Sequence, residues 1–417
     1  MESFARRVTD IYISALLLVL PLWTGLDGYA DITGSKFRLY AVITIVWAVL
    51  LIFAVIKGRM FRAVRGVFPA LAAAFALWAA VSTLASPYEL TALGRGYDGP
   101  AVLCLYALTA AGCCAFGNMR QRYVYLLAVS VTLCCALAFI QLAGFNPLGL
   151  YPEGYNYYDG GVWYNGRFLG TMGNTNLLGA FLSLASPLLA LNAAGACPRR
   201  LCLLLPAAAG CLTIILAGSE AGLLGLLACA AIAIPYYVNR RNRKAAMLAL
   251  IAEAAALGVF LIFVYFSPPQ SGTLRELSEL LHGRAEPSFG SHRLEIWAEA
   301  ARLTAERPIL GGGPGSFALR SGVTFERFVP ESGVTLRTLA DNAHSEPLAA
   351  LCDLGAPGLA LWLLLRVRAL RRGFKSCAPL SLALISYHVQ ALFGIGSCLV
   401  LPVVYCLLGL AAADPYE

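Results

Sequence analysis

The sequence predicts an all-α, polytopic membrane protein with about 12 transmembrane helices and one large helical extracytoplasmic loop. Of its 417 residues, 59% are hydrophobic and only 13% are charged, and the mean hydropathy is +0.71. A water-soluble domain of this composition would expose large apolar patches. One long polar stretch, the 267–344 segment, lies between the ninth and tenth apolar runs. We therefore expect a single transmembrane domain over residues 1–417, with the 267–344 segment inserted as a loop between spans 9 and 10.

Each apolar run approaches the roughly 20 residues that a helix needs to cross the hydrocarbon core of a bilayer. In chain order the runs are 11–26, 39–56, 67–85, 100–116, 123–143, 177–194, 201–217, 221–238, 245–266, 347–365, 378–393 and 398–413. The first, eleventh and twelfth are the shortest, so their ends are the hardest to place.

Basic residues predict the orientation, because Lys and Arg stay on the cytoplasmic side of short loops. With a cytoplasmic N-terminus, the N-terminal segment and alternate loops together hold 19 of the 31 Lys and Arg residues. The last of these loops holds Arg366, Arg368, Arg371, Arg372 and Lys375. Both termini are then cytoplasmic, and the 267–344 segment is extracytoplasmic.

The charge and the cysteines exclude other classes of protein. The net charge of +8 is mostly this orientation signal, and no basic patch alternates with aromatic residues, so nucleic acid is not an expected partner. The 13 cysteines lie almost entirely in apolar runs, with none in the 267–344 segment. The pattern indicates neither a disulfide framework nor a C-x-x-C zinc site.

The loop after the first run is predicted to be a solvated rim, with the charged residues Asp27, Asp31, Lys36 and Arg38. The loop at 144–175 is rich in Gly and aromatic residues, namely Tyr151, Tyr155, Tyr157, Tyr158, Trp163 and Tyr164. Two interpretations of these aromatic residues stand. They form an interfacial belt, or they stack on sugar rings.

The end of this loop has the composition of an anion site. Arg167 is its one cation, and Gly170, Gly173 and Asn176 follow at the start of the sixth run. Glycine lets the backbone approach a ligand closely, and a helix N-terminus offers unpaired N–H groups to a phosphate. The sequence therefore suggests a phosphate site here.

Two acidic residues lie inside apolar runs, Glu253 in the ninth and Asp353 in the tenth. A charge near the centre of a span costs roughly 2.5 to 3.5 kcal/mol on insertion scales, so each needs a partner or a proton. Each is a functional candidate, and the structural alternative is a polar clamp between helices.

Within the 267–344 segment, residues 273–282 form a short amphipathic stretch and residues 291–307 a clearer helix. Pro308 ends this helix, and the glycines at 311–315 predict a flexible turn of close backbone approach. Arg293 lies in the first turn, where the helix dipole disfavours a cation. The same placement concentrates positive potential, which suits a bound diphosphate.

A set of residues from Arg293 to Gly358 resembles the signature of the bacterial O-antigen ligase and O-antigen polymerase family. The resemblance rests on Arg293, Trp297, Ala301, Pro308, Gly311, Gly313, Gly315 and Phe317, then His344, Leu348, Asp353, Gly355 and Gly358. It extends to Arg167 with Gly170, Gly173 and Asn176. The family consists of polytopic glycosyltransferases with a large outer loop just before a helix headed by His.

The resemblance implies transfer of a glycan from undecaprenyl diphosphate to an acceptor hydroxyl in cell-surface polysaccharide assembly, at the cytoplasmic (inner) membrane. His344 is then the general base, and Arg293 and Arg167 bind the diphosphate. Asn176 and Asp353 join the substrate-binding set. Attack opposite the leaving group implies inversion at the anomeric carbon. The implied partners are the lipid-linked donor, a glycan, lipid or protein acceptor and membrane lipid, with no cofactor and no metal.

The sequence departs from the family pattern at two positions. Ser345 stands where Asn commonly follows the His, and Glu220 stands where many members have Arg after a Ser. We expect Glu220 to pair with Arg167 or Arg293, and the alternative is a rim residue in water. A polymerase of lipid-linked repeat units uses the same donor chemistry. A twelve-helix transporter is the rival from another class, although no internal repeat is visible.

Overall fold

The structure, a computed structural model, describes residues 1–61, 65–155, 157–159, 162–164, 169–194, 198–267, 271–329 and 333–414. Its helices are α1 (Glu2–Ser14), α2 (Leu20–Leu22), α3 (Ile32–Gly58), α4 (Val67–Leu84), α5 (Pro100–Phe116), α6 (Gln121–Leu142), α7 (Thr175–Ala193), α8 (Leu204–Leu216), α9 (Glu220–Asn239), α10 (Arg243–Phe266), α11 (Thr273–Leu281), α12 (Phe289–Glu306), α13 (Phe317–Arg320), α14 (Glu346–Ser376), α15 (Ala378–Ala391) and α16 (Leu401–Ala412). The strands are β1 (Tyr157–Asp159), β2 (Val162–Tyr164), β3 (Thr324–Val329) and β4 (Val334–Leu339).

Helix covers most of every predicted apolar run, and in the first run a π-helical turn, Ala15–Val19, joins α1 to α2. In the described part of the chain, eight helical stretches are long and apolar enough to cross a membrane. They are Gly28–Gly58, Val67–Leu84, Gln121–Leu142, Thr175–Ala193, Pro198–Leu216, Glu220–Asn239, Arg243–Phe266 and Glu346–Ser376. The helices Pro100–Phe116 and Leu401–Ala412 are apolar but shorter. The mostly helical, multi-pass class is thus confirmed, and the count of 12 spans stays a prediction.

The bundle has one main buried core, to which α1, α3 to α8 and α14 to α16 contribute side chains. Helix α10 lies outside this core, since only 6% of the residues in its most apolar stretch are buried. A helix that is apolar all round and exposed in this way suits contact with lipid.

Lys36 corrects the predicted solvated rim. Its side chain is 0% exposed, and its Nζ donates to the carbonyl oxygens of Leu20 at 2.9 Å and Pro21 at 2.7 Å. These carbonyls belong to the end of α2, where helical partners are missing. Asp31 and Arg38, in contrast, form an exposed ion pair at 2.6 Å, as a rim would.

The tenth predicted span is not one continuous helix, because α14 is interrupted at Gly355. Its φ of 69° and ψ of −175° are nearly exclusive to glycine, and a Cβ there would lie 2.0 Å from the Ile309 carbonyl oxygen. Glu346 and Arg366 are twenty positions apart, which on a straight helix is about 30 Å. Yet Nη2 of Arg366 lies 3.6 Å from Oε2 of Glu346. The first half of α14 therefore folds back beside the second.

The loop predicted to follow the tenth span is also helical. The five basic residues from 366 to 375 all lie on α14, which extends to Ser376. Arg366 is buried, with 3% of its surface exposed, so it does not mark the membrane surface.

Between α10 and α14 the described chain forms α11, α12, α13 and the antiparallel hairpin β3–β4, in which Thr324 pairs with Leu339. A small separate core joins α12 to the chain ahead of α14, with Ile296, Ala300, Leu303, Phe317, Ala340, Ala343 and Cys352. Because Cys352 belongs to α14, this second core holds the 267–344 segment against the first half of α14.

A second hairpin, β1–β2, lies in the aromatic loop, with Tyr157 opposite Tyr164. Tyr151 stacks on Tyr29 with 5.8 Å between ring centroids, so this ring packs against the bundle. The side chains from 157 to 164 lie outside the described residues, and the choice between belt and sugar platform stays open for them.

Candidate active site

Arg293 occupies the first regular turn of α12. The three residues before it, Gly290 to His292, have left-handed backbone with φ between 57° and 66°, which turns the chain sharply into the helix. The Nε of Arg293 donates to the Phe393 carbonyl at 3.1 Å, and its Nη1 donates to the Gly290 carbonyl at 2.6 Å. Phe393 follows α15, so this side chain ties the 267–344 segment to the bundle.

Two carboxylates lie near this guanidinium. Glu276 accepts the Gly290 N–H at 2.8 Å, and Glu220, at the start of α9, accepts a hydrogen bond from the Thr273 hydroxyl. Burial lowers the pKa of Arg293, and the charges of Glu220 and Glu276 oppose that shift. Among the described residues Glu220 makes no ion pair with Arg293, so it acts on Arg293 as a nearby charge.

His344 lies just ahead of α14, with a left-handed φ of 47°. Its backbone N–H donates to Oδ1 of Asn342 at 3.1 Å. Burial lowers the pKa of the His344 imidazole below its ordinary value, the positive charge of Arg293 lowers it further, and Asp341 opposes both. The charge of Arg293 thus acts on His344, and together with burial it favours the neutral imidazole.

The start of α7 is capped by its own chain. Oδ1 of Asn174 accepts the N–H groups of Asn176 at 2.8 Å and Leu177 at 3.1 Å. These two groups are therefore already bound, and the predicted phosphate site at this helix start loses them. Asn176 is exposed. Helix α7 nonetheless reaches the site region, since a Cβ on Gly179 would lie 1.9 Å from Oγ of Ser219, next to the start of α9.

Arg167 lies outside the described residues, so its role at the diphosphate and its pairing with Glu220 stay predictions. The chain that follows it is firmly held. Oε1 of the buried Gln141 accepts the N–H groups of Leu169 at 3.1 Å and Gly170 at 2.8 Å.

Asp353 binds the glycine-rich turn. Its Oδ2 accepts the Gly315 N–H and its Oδ1 accepts the Ser316 hydroxyl, both at 3.1 Å, while its backbone oxygen accepts the Gly313 N–H at 2.8 Å. A Cβ on Gly311 would lie 2.3 Å from that backbone oxygen. The turn was predicted to be flexible, with close backbone approach, and the close approach that its glycines allow is to α14. These contacts favour the polar-clamp interpretation of Asp353.

A cavity of about 90 Å³ lies beside the site, between the two halves of α14 and helices α4, α5 and α16. Its polar lining includes Asp98, Asn342, Glu346, Asp353 and Arg366. Burial raises the pKa of Asp98, and Asp341 raises it further. Sequence analysis missed Asp98, Glu346 and Arg366, because their partners are distant in the chain.

The helical bundle identifies this chain as a multi-pass membrane protein. Its polar candidate site lies where α9, α11, α12, α15 and the start of α14 meet. Residues 205–363 match the family model described as O-antigen ligase. Over this part of the chain, the match confirms the resemblance seen in the sequence. The matched residues include Glu220, Arg293, His344 and Asp353. Among curated proteins, no match to the chain was found.

Proposed function

We propose that this protein transfers a glycan from undecaprenyl diphosphate to an acceptor hydroxyl. The family match and the membrane helices support a glycosyltransferase-like role in polysaccharide assembly. The observation that carries the finer proposal is that the charge of the half-buried Arg293 guanidinium acts on the His344 imidazole and, with burial, lowers its pKa. Attack on a sugar diphosphate requires a base for the acceptor proton and a cation for the leaving group.

In the proposed reaction the acceptor oxygen attacks the anomeric carbon while the bond to the diphosphate oxygen breaks. The acceptor proton passes to His344, whose neutral form is favoured by its surroundings. Undecaprenyl diphosphate leaves with the bonding electron pair. Because attack occurs opposite the leaving group, the anomeric configuration inverts.

The diphosphate gains negative charge as it leaves, and Arg293 lies where it can stabilise that charge. Two of its nitrogens are fixed by backbone carbonyls, so the guanidinium needs no reorganisation. Arg167 is proposed as the second cation. Glu220 favours the charged form of Arg293 as a nearby negative charge, and Thr273 donates a hydrogen bond to Glu220.

Asn176 is proposed to bind the donor through its side chain, since it is exposed and lies three residues before Gly179, which packs on Ser219 next to the start of α9. Asp353 is proposed to act on the substrate only indirectly, by holding the glycine-rich turn. In the proposed orientation, both termini are cytoplasmic and the 267–344 segment faces outward from the inner membrane.

A transporter is the second candidate, because discontinuous helices such as α14 also occur around the substrate sites of carriers. One experiment separates the two. Purified protein is incubated in detergent with lipid-linked oligosaccharide and an acceptor glycan, and both products are quantified. The enzyme releases undecaprenyl diphosphate in equal amount to the new glycosidic bond. A transporter leaves the donor intact, and that result would refute the proposal.

A further inference from the structure

His344 is held in a backbone conformation that it would not adopt in a free loop. A left-handed φ of 47° is uncommon for a residue with a side chain, and it persists only where both flanks are fixed. On the N-terminal side, Ala343 is 0% exposed in the small core around α12. Oδ1 of Asn342 also accepts the His344 N–H at 3.1 Å.

On the C-terminal side, the fixed residue is Glu346, two positions after His344. Only 7% of its surface is exposed. One carboxylate oxygen accepts a hydrogen bond from the Tyr387 hydroxyl on α15, and the other lies 3.6 Å from Nη2 of Arg366. A buried carboxylate held by two partners is a firm anchor for the backbone that carries it.

Arg366 is itself held in place. Its guanidinium carbon lies 3.4 Å from the centroid of the Trp362 ring, and its Nη1 donates to the Trp362 carbonyl at 3.2 Å. Arg366 belongs to the second half of α14 and Glu346 to the first, so their ion pair spans the break at Gly355. The pair therefore fixes the short folded-back helix that begins two residues after His344.

We propose that Glu346, held by Arg366 and Tyr387, is a positioning residue that keeps His344 oriented toward the acceptor hydroxyl. This inference rests on the proposed function of His344 as the base. Glu346 does not touch the reacting atoms. It acts through the backbone of Ser345 and His344.

Loss of the contacts that hold Glu346 has effects on the kinetics that differ from those of a general loss of stability. Turnover falls, because a displacement of about 1 Å at a catalytic group can cost up to 100-fold in rate. The KM for the donor changes little, since Arg293 is held by α12 and by the end of α15. The imidazole also becomes more hydrated and moves away from Arg293, with Asp341 still beside it. The acid limb of the pH profile then moves to higher pH.

The test compares two buried tyrosines. Tyr387→Phe removes only the hydroxyl that binds Glu346, and Tyr106→Phe removes a hydroxyl that is buried without a hydrogen-bond partner among the described residues. We expect Tyr387→Phe to lower kcat about 10-fold or more, with KM within about twofold of wild type and the acid limb at higher pH. Tyr106→Phe should match wild type in all three measurements.

The conservative variant Glu346→Gln keeps an acceptor for Tyr387 and loses the charge, so it should lie between wild type and Glu346→Ala in kcat. Wild-type kcat and pH profile in Tyr387→Phe would overturn the proposal. A loss of kcat with an unmoved acid limb would also overturn it, because that pattern indicates a structural role only. The proposed function fails separately, if His344→Ala keeps its activity.

Discussion

The guanidinium of Arg293 is only partly occupied by hydrogen bonds within the protein. Its Nε and Nη1 are occupied by the carbonyls of Phe393 and Gly290, and in the described residues its Nη2 has no hydrogen bond. A planar guanidinium can hold both the protein and an anion at once. A lysine ammonium at this position would keep the charge and lose that geometry.

We therefore expect Arg293→Lys to lower turnover about 100-fold, the usual effect of removing one well-placed donor from developing charge. The matched control is Arg302→Lys on the same helix, an exposed residue paired with Glu299 and Glu306. Steady-state kinetics of the two variants, at equal amounts of folded protein, check this. Wild-type turnover in Arg293→Lys would exclude a role at the diphosphate.

Glu220→Gln should give a smaller loss of turnover than Arg293→Lys, since it removes only a charge that neighbours Arg293.

The pH dependence follows from the lowered pKa of His344. A general base works in its neutral form, so activity falls as pH decreases through the pKa of that base. Burial and Arg293 place this pKa below the ordinary value of 6.5. The acid limb of kcat/KM should thus lie below pH 6.5, and His282→Gln, which changes an exposed His just after α11, should leave it in place. A limb at or above pH 6.5 would contradict a buried base beside Arg293.

The helices were predictable from the sequence where a single local pattern, a run of apolar residues, determines them. Each apolar run became a helix, because about 20 apolar residues in a row leave no other way to satisfy the backbone in a bilayer. The break in α14 was not predictable in this way, since the run 347–365 is apolar on both sides of Gly355. Hydropathy depends only on composition, so it cannot predict that the backbone of α14 folds back at Gly355.

The break itself requires glycine. We expect Gly355→Ala to destabilise the protein by at least about 1 to 3 kcal/mol, the cost of a side chain in this backbone region, with a further cost from the contact at Ile309. Gly258→Ala on the exposed helix α10 is the control, since a Cβ there meets nothing within 4 Å. Thermal unfolding in detergent measures both. Equal melting temperatures would show that α14 is not interrupted as described.

The candidate site was only partly predictable for a related reason. His344, Arg293 and Glu220 were found from their residue types and from a family pattern. Glu346 and Arg366 were not, because Arg366 was counted among surface charges and its partner lies across the break. Lys36 was misplaced likewise, since a buried amine bound to carbonyls has the same sequence signature as a surface amine.

At the scale of the whole molecule, the site forms where helices from distant parts of the chain end together. Glu220, Thr273, Arg293, His344 and Phe393 come from five separate elements or their ends. The proposed chemistry needs this meeting point to face the extracytoplasmic side, where the carrier presents its glycan.

Labelling of single cysteines tests that orientation. In a background without other reactive cysteines, Ser288→Cys should react with a membrane-impermeant thiol reagent in intact spheroplasts. Asn242→Cys, between α9 and α10, should react only after the membrane is opened. The reverse pattern would place the candidate site in the cytoplasm and exclude the proposed donor geometry.

The most direct test of the central claim is the dependence of glycan transfer on His344. Purified wild type, His344→Gln and the control His282→Gln are each given lipid-linked oligosaccharide and acceptor, and released undecaprenyl diphosphate is measured over time. The account predicts wild-type release for His282→Gln. For His344→Gln it predicts release lower by about 100-fold or more, within the range that loss of a general base costs. Release at the wild-type rate by His344→Gln would contradict it.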